Sequence, residues 1–311
     1  MKQISPITNY RRAPAALCLL ALTLLPWPGS AQATEDEIKP THMMTVPAAD
    51  VVNLATLPDY EPPAETAGQS RDSRQGDISA ETLWDPPLLN VPTPDLYIEG
   101  LNQAESGGAG TTLVPPHPHG AVGPTQFVEV VSSRLAVFDK ETGERLASIS
   151  LNALFRTPPP TSSLRLLFSP RVVYDRVHDR WIVIANELRE STTVQRFYVG
   201  VSQTGDATGE YFTYTINSIV FPNDFFEFPQ LGLDQNAVIV TANISQGRSG
   251  GDVLVIPKAD LYNGESLRIP RFLNLFLNTV PPIVLDDNPR TFLLTSRPTT
   301  PNVVLQALRN T

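Results

Sequence analysis

A proline followed five residues later by an aspartate, with mostly apolar residues between, recurs as Pro170 to Asp175, Pro229 to Asp234 and Pro281 to Asp286. The copies are spaced by 59 and 52 residues, and a degenerate one begins at Pro118, 52 residues before Pro170. After each aspartate comes a short polar turn and then a strongly apolar strand. Two of those strands end alike, in Ala185-Asn186 and Ala242-Asn243. A short repeat cannot bury its apolar face alone and must stack on its neighbours; one holding about four short strands has the size of a single propeller blade.

Within each unit the apolar period is two rather than 3.6. Phe127–Val131, Leu135–Phe138, Trp181–Ala185, Phe197–Val201, Tyr211–Ile216, Ala237–Thr241, Val253–Ile256 and Phe292–Thr295 are short, rich in β-branched or aromatic residues, and bounded by turn residues. Asp139–Gly143 reads as a hairpin turn. Only Lys258–Tyr262 has a helical pattern. Thirty prolines reinforce the all-β expectation, because each removes a backbone donor and clashes inside a helix.

Met1–Ala33 reads as a secretory signal peptide: a positive start ending in Arg11-Arg12, an apolar run from Ala13 to Leu25, and Ala31-Gln32-Ala33 as the cleavage motif. The run is shorter than the roughly 20 residues that span a bilayer, so export without a membrane span is expected, to a periplasmic or extracellular location. Cys18, the only cysteine, lies in that run, and the exported chain has no disulfide. Its stability must then come from a large core, from bound metal, or from both. Residues 34–126 hold 13 prolines but 3 aromatics, whereas 127–311 hold 13 prolines and 19 aromatics. Residues 34–93 therefore read as an acidic, Pro-rich stalk, largely disordered, in which Val51-Val52 is a short group able to dock on a neighbour. Residues 94–311 are the propeller region, with room for about three and a half blades where closed rings use four to eight. A truncated ring with exposed strand edges is the expectation. The net charge of −9 becomes −12 without Lys2, Arg11 and Arg12, and no basic cluster exceeds a pair, which excludes nucleic acid as a partner.

The same residues carry a resemblance. Gly100-Leu-Asn-Gln-Ala104 and Val114–Pro124, then Ser133–Lys140, Arg171–Asp175 with Arg180-Trp181, Val201–Thr204 with Asp206–Gly209, and Phe228–Gly232 resemble the propeller region of a large group of secreted bacterial proteins. These are loosely similar to sialidase-type propellers with Asp-box repeats. The resemblance covers residues 96–300 and implies export and a propeller, with no general activity. One loop departs from the group, reading Pro116-His117-Pro118-His119 where Pro-Pro-Asp-Thr is usual.

Candidate chemistry is sparse. Asp206, in the Asp-box-like hairpin Ser202–Phe212, and the recurrent Asp175, Asp234 and Asp286 fit turn roles, because a catalytic pair is needed once and not in every unit. His117 and His119 form an H-x-H pair that offers two imidazoles to zinc or copper, with no third ligand marked. Calcium held by blade-loop carboxylates is compatible with an acidic exported chain, although no cofactor is required. Leu267-Arg268-Ile269-Pro270 resembles the Arg-Ile-Pro element with which sialidases bind a sugar carboxylate. Arg171, Arg268 and Glu227 are the candidates for a hydrolytic centre. The leading expectation is an exported, non-catalytic binding or scaffold propeller presenting loops to a glycan or protein. The alternatives are a sialidase-like glycoside hydrolase, which requires Arg171 and Arg268 to converge on a carboxylate, and a fragment without independent function.

Overall fold

The computed structural model describes residues 3–10, 39–59, 96–102, 105, 115–157, 167–188, 190–286, 290–296 and 303–309. Its strands are β1 (Gln3–Tyr10), β2 (His42–Val46), β3 (Asp50–Asn53), β4 (His119–Val122), β5 (Gln126–Val131), β6 (Arg134–Asp139), β7 (Arg145–Ser150), β8 (Leu167–Asp175) and β9 (Arg180–Glu187). There follow β10 (Arg196–Ser202), β11 (Glu210–Asn217), β12 (Phe225–Leu233), β13 (Ala237–Ser245), β14 (Gly250–Pro257), β15 (Leu267–Leu275), β16 (Arg290–Ser296) and β17 (Val303–Arg309). The helical content among the described residues is confined to short turns, including Leu151–Leu154 and Lys258–Leu261.

Three antiparallel meanders form successive blades: β4-β5-β6-β7, β8-β9-β10-β11 and β12-β13-β14-β15. A fourth sheet has the order β1-β17-β16. The segment before β16 takes the innermost place of that sheet, with Val280 bridged to Leu294 and Ile283 to Leu233 of the preceding blade. The innermost strands β4, β8 and β12 pack side by side, β8 touching both others. The fold is a β-propeller, and each of Pro118, Pro170 and Pro229 lies just before or within an innermost strand. That strand has one unpaired edge, facing the axis, where the missing N–H of proline breaks no ladder.

The core is distributed between blades. Trp181, Val183 and Ala185 of β9 face the first blade with Val128, Val137 and Ile149, while Ile182 and Ile184 face the third with Val238, Val240 and Leu254. A third cluster joins Ile239, Val255 and Phe272 to Leu293 and Leu308 of the fourth sheet. A middle blade buried on both faces explains why its strands read as continuous apolar runs.

One correction falls on the N-terminal stalk. Residues 42–46 and 50–53, inside the stretch expected to be largely disordered, are strands: β2 pairs with β15 and β3 with β11. They cover the outer edges of the third and second blades, whose backbone groups would otherwise stay bare. Val46 and Val52 supply the buried side chains of this docking. Residues 60–93 of the same stretch lie outside the described residues. So do residues 11–33 of the leader; its beginning runs antiparallel to β17.

Candidate functional site

The starting ends of the innermost strands meet at one mouth of the propeller axis. There the residues before Pro118, Pro170 and Pro229 have a positive φ: 46° at His117, 48° at Ser169 and 51° at Phe228. Ladder register shifts between Phe168 and Arg171 and between Glu227 and Gln230, so β8 and β12 are bulged at these places. Bulges of this kind re-aim side chains, and strained backbone of this kind gathers at functional sites.

Arg171, two residues into the bulge of β8, is half-buried. Its Nε donates to the Pro229 carbonyl at 3.1 Å, and its guanidinium lies 5.6 Å from the centroid of the Phe228 ring. No ion pair reaches it among the described residues. The Phe228 ring is 44% exposed and stands edge-on to His117, 6.3 Å between centroids. His117 Nδ1 shares a hydrogen bond with Ser169 Oγ at 3.0 Å. His119 Nδ1 accepts from the Val172 N–H at 3.4 Å, which leaves its hydrogen on Nε2. Burial first, and the Arg171 charge second, push both imidazoles below their ordinary range. At neutral pH the mouth therefore carries one guanidinium, two neutral imidazoles and one aromatic face.

The structure brings together Arg171, His117 and His119 and separates the rest. Arg268 is exposed on β15, opposite Thr45 of β2, on the outermost side of the third blade. Three strand spacings of about 4.8 Å put it roughly 14 Å further out than an innermost strand. The convergence of Arg171 with Arg268 is thereby corrected: a three-residue match carries no information on strand order. Glu227 is half-buried on β12 opposite Asn243, without an ion pair or hydrogen bond among the described residues. Asp224 is buried and bound to Arg248, Nε to Oδ2 at 2.9 Å. A tyrosine–carboxylate pair that the sequence did not mark does exist: Tyr198 donates to Glu187, but both are buried against the first blade. Among the described residues no group of three or more His, Cys, Asp or Glu side chains is placed to hold a metal ion.

At the opposite end of the innermost strands the repeat aspartates bind turns. Asp175 Oδ1 accepts from the N–H groups of Val177 and His178, and Asp234 Oδ1 from those of Asn236 and Ala237. Asp206 accepts from Thr208 and from Gln126 Nε2, tying the second blade to the first. Asp286 lies in an exposed bend. Asp175 also receives Lys258 Nζ at 2.5 Å, Tyr262 OH at 2.6 Å and His178 Nδ1 at 2.9 Å. Burial opposes its ionisation, but the bonds from Lys258 and Tyr262 and the charges of Lys258 and His178 outweigh this and hold the carboxyl below its usual range.

No family model matches the chain, and no curated protein matches it. Among solved structures it is similar to a GH43 endo-arabinanase from Bacillus licheniformis, at 12% identity and a TM-score of 0.37, over 57% of this chain and 63% of that one. It is also similar to a xylan β-1,4-xylosidase from Bacillus halodurans, at 13% identity and 0.35, over 58% and 36%. A third is an exo-β-1,3-galactanase from Phanerochaete chrysosporium, at 11% identity and 0.35, over 61% and 45%. The chain thus spans less than two thirds of the length of each. Among the described residues no helix is long and apolar enough to cross a membrane.

Proposed function

We propose that this chain is an exported propeller that recognises an acidic saccharide at the axial mouth, with Arg171 binding the sugar carboxylate. The observation that carries the reading is the half-buried Arg171 guanidinium, which has a carbonyl and an aromatic face as neighbours and no ion-pair partner among the described residues. Arginine in a partly dry site favours a planar anion held by two parallel N–H bonds. The His119 Nε2–H supplies a further donor, and the exposed Phe228 face packs against the apolar side of a sugar ring. Binding without turnover is the first reading, because Asp224 and Asp252 are buried in ion pairs, which leaves Glu227 on β12 as the acid beside β8.

Calorimetric titration with 3′-sialyllactose and tetragalacturonate, against lactose as the neutral control, tests this. Arg171→Ala is expected to weaken the acidic ligands roughly tenfold or more, in line with losing a charge-assisted pair. Equal binding by Arg171→Ala, or equal binding of lactose, refutes it. A sialidase-like hydrolase is the second reading, favoured by Glu227 standing near the start of β12 beside β8, which carries Arg171. Release of fluorophore from a sialoside, abolished in Glu227→Gln, would establish that reading instead.

A further inference from the structure

We propose a second ligand site, for a neutral saccharide, in the cavity between the second and third blades at the end opposite the axial mouth. The cavity has a volume of about 480 Å³ and is lined by His178, Gln235, Asn236, Lys258, Tyr262 and Asn263, among others. That volume accommodates one or two sugar rings.

The chemistry of the lining selects the ligand class. Asp175 is held ionised by its donors, so the hydrogen bond between its Oδ2 and His178 Nδ1 takes its proton from the imidazole. His178 Nδ1 is thus spent on Asp175, which leaves Nε2 as the ring nitrogen that meets a ligand hydroxyl. The Lys258 ammonium is 3% exposed and spent on Asp175, so this pair adds no net charge that would draw an anion or a cation. The carboxamides of Gln235 and Asn236 each carry a donor beside an acceptor, which matches adjacent hydroxyls of a polyol, while Asn263 is held by its Nδ2 on the Ala259 carbonyl at 2.8 Å. Tyr262 gives an aromatic wall pinned at its hydroxyl by Asp175 and set edge-on to His178, 5.4 Å between centroids. A polar, uncharged, hydroxyl-rich ligand with one apolar face meets all four features.

The site draws on two blades and on the short helical turn Lys258–Leu261, so no single repeat contains it. It does not include Arg171, which lies at the middle of β8, four residues before Asp175. Saturation-transfer NMR of the full chain with xylotetraose, cellotetraose and galactobiose tests the proposal. The expected result is saturable binding of at least one of them, weakened roughly tenfold or more by His178→Ala and by Gln235→Trp, and unchanged by Arg171→Ala. Gln235 is exposed, so its indole replacement blocks the cavity without disturbing the core, and it carries the test if His178→Ala unfolds. No saturable binding up to about 20 mM of any of the three, or binding indifferent to Gln235→Trp, overturns it. Loss of sialyllactose binding in Arg171→Ala with retention of the neutral ligand separates the two sites.

Discussion

Replacing Asp252 with alanine should destabilise the protein by about 3–5 kcal/mol, the cost expected when one partner of a buried ion pair is removed. Asp252 is fully buried and its Oδ2 receives Arg271 Nε at 3.1 Å, Arg271 Nη2 at 2.7 Å and Arg248 Nη2 at 2.8 Å. Arg271 is itself fully buried, and its remaining hydrogen bond to an oxygen, Nη1 to the Ser218 carbonyl at 2.8 Å, leads to the end of the second blade. Without Asp252 the guanidinium stays in the interior with a carbonyl and the face of Phe226, 5.5 Å away, as company. Neither neutralises it. Arg248 fares better, because it keeps Asp224. The double variant Asp252→Ala with Arg271→Met leaves the Arg248–Asp224 pair balanced, so it should lose at least about 2 kcal/mol less than the two single changes added together. Urea unfolding followed by near-ultraviolet circular dichroism, on the wild type, both singles and the double, measures this. A loss below about 1 kcal/mol in Asp252→Ala, or single losses that simply add, would refute the clamp between the second and third blades.

Acid unfolding should reflect Asp175, whose folded pKa is depressed while its unfolded value is about 3.9. Its contribution is present above that unfolded value and lost as pH falls below it toward the folded one. Asp175→Asn should therefore flatten the stability decline below about pH 4, read as the denaturation midpoint against pH. Affinity for sialyllactose should rise as pH falls below the ordinary imidazole value of about 6.5, because His117 and His119 are neutral at pH 7 and gain charge beside the bound carboxylate only below that value; a flat profile by calorimetry counts against their contact with ligand. Val52→Asp, which places a charge on the fully packed side of β3, should cost about 3 kcal/mol or more in urea unfolding, whereas a free stalk would show no change. Calcium or chelator should leave the thermal midpoint in place, since Asp175, Asp206, Asp224 and Asp252 already have donors from the chain.

Much of the propeller was legible because one physical rule generates it. Strands buried against a neighbouring blade read as short runs such as Trp181–Ala185, and the repeat proline marks the one strand whose edge faces the axis. What escaped were contacts set by distant parts of the chain. Val51-Val52 was legible as a group able to dock, but its partner strand β11, and the pairing of Val46 with β15, lie more than 150 residues later and carry no local signal. Arg268 is indistinguishable by local pattern from a residue on an inner strand. Tyr262 reaches Asp175 across 87 positions, so the polar cluster at the second cavity has no sequence signature beyond the His178 three residues after Asp175. At the mouth, Phe228 could have been noticed, since it occupies the same place before its proline as His117 and Ser169.

The most direct test is a crystal structure with tetragalacturonate or 3′-sialyllactose bound. A sugar carboxylate within hydrogen-bonding distance of the Arg171 guanidinium, with a ring on the Phe228 face, is the expected result. An acidic sugar seated at exposed Arg268 or elsewhere on the outer strands, with the mouth of the axis holding no sugar, would contradict the assignment.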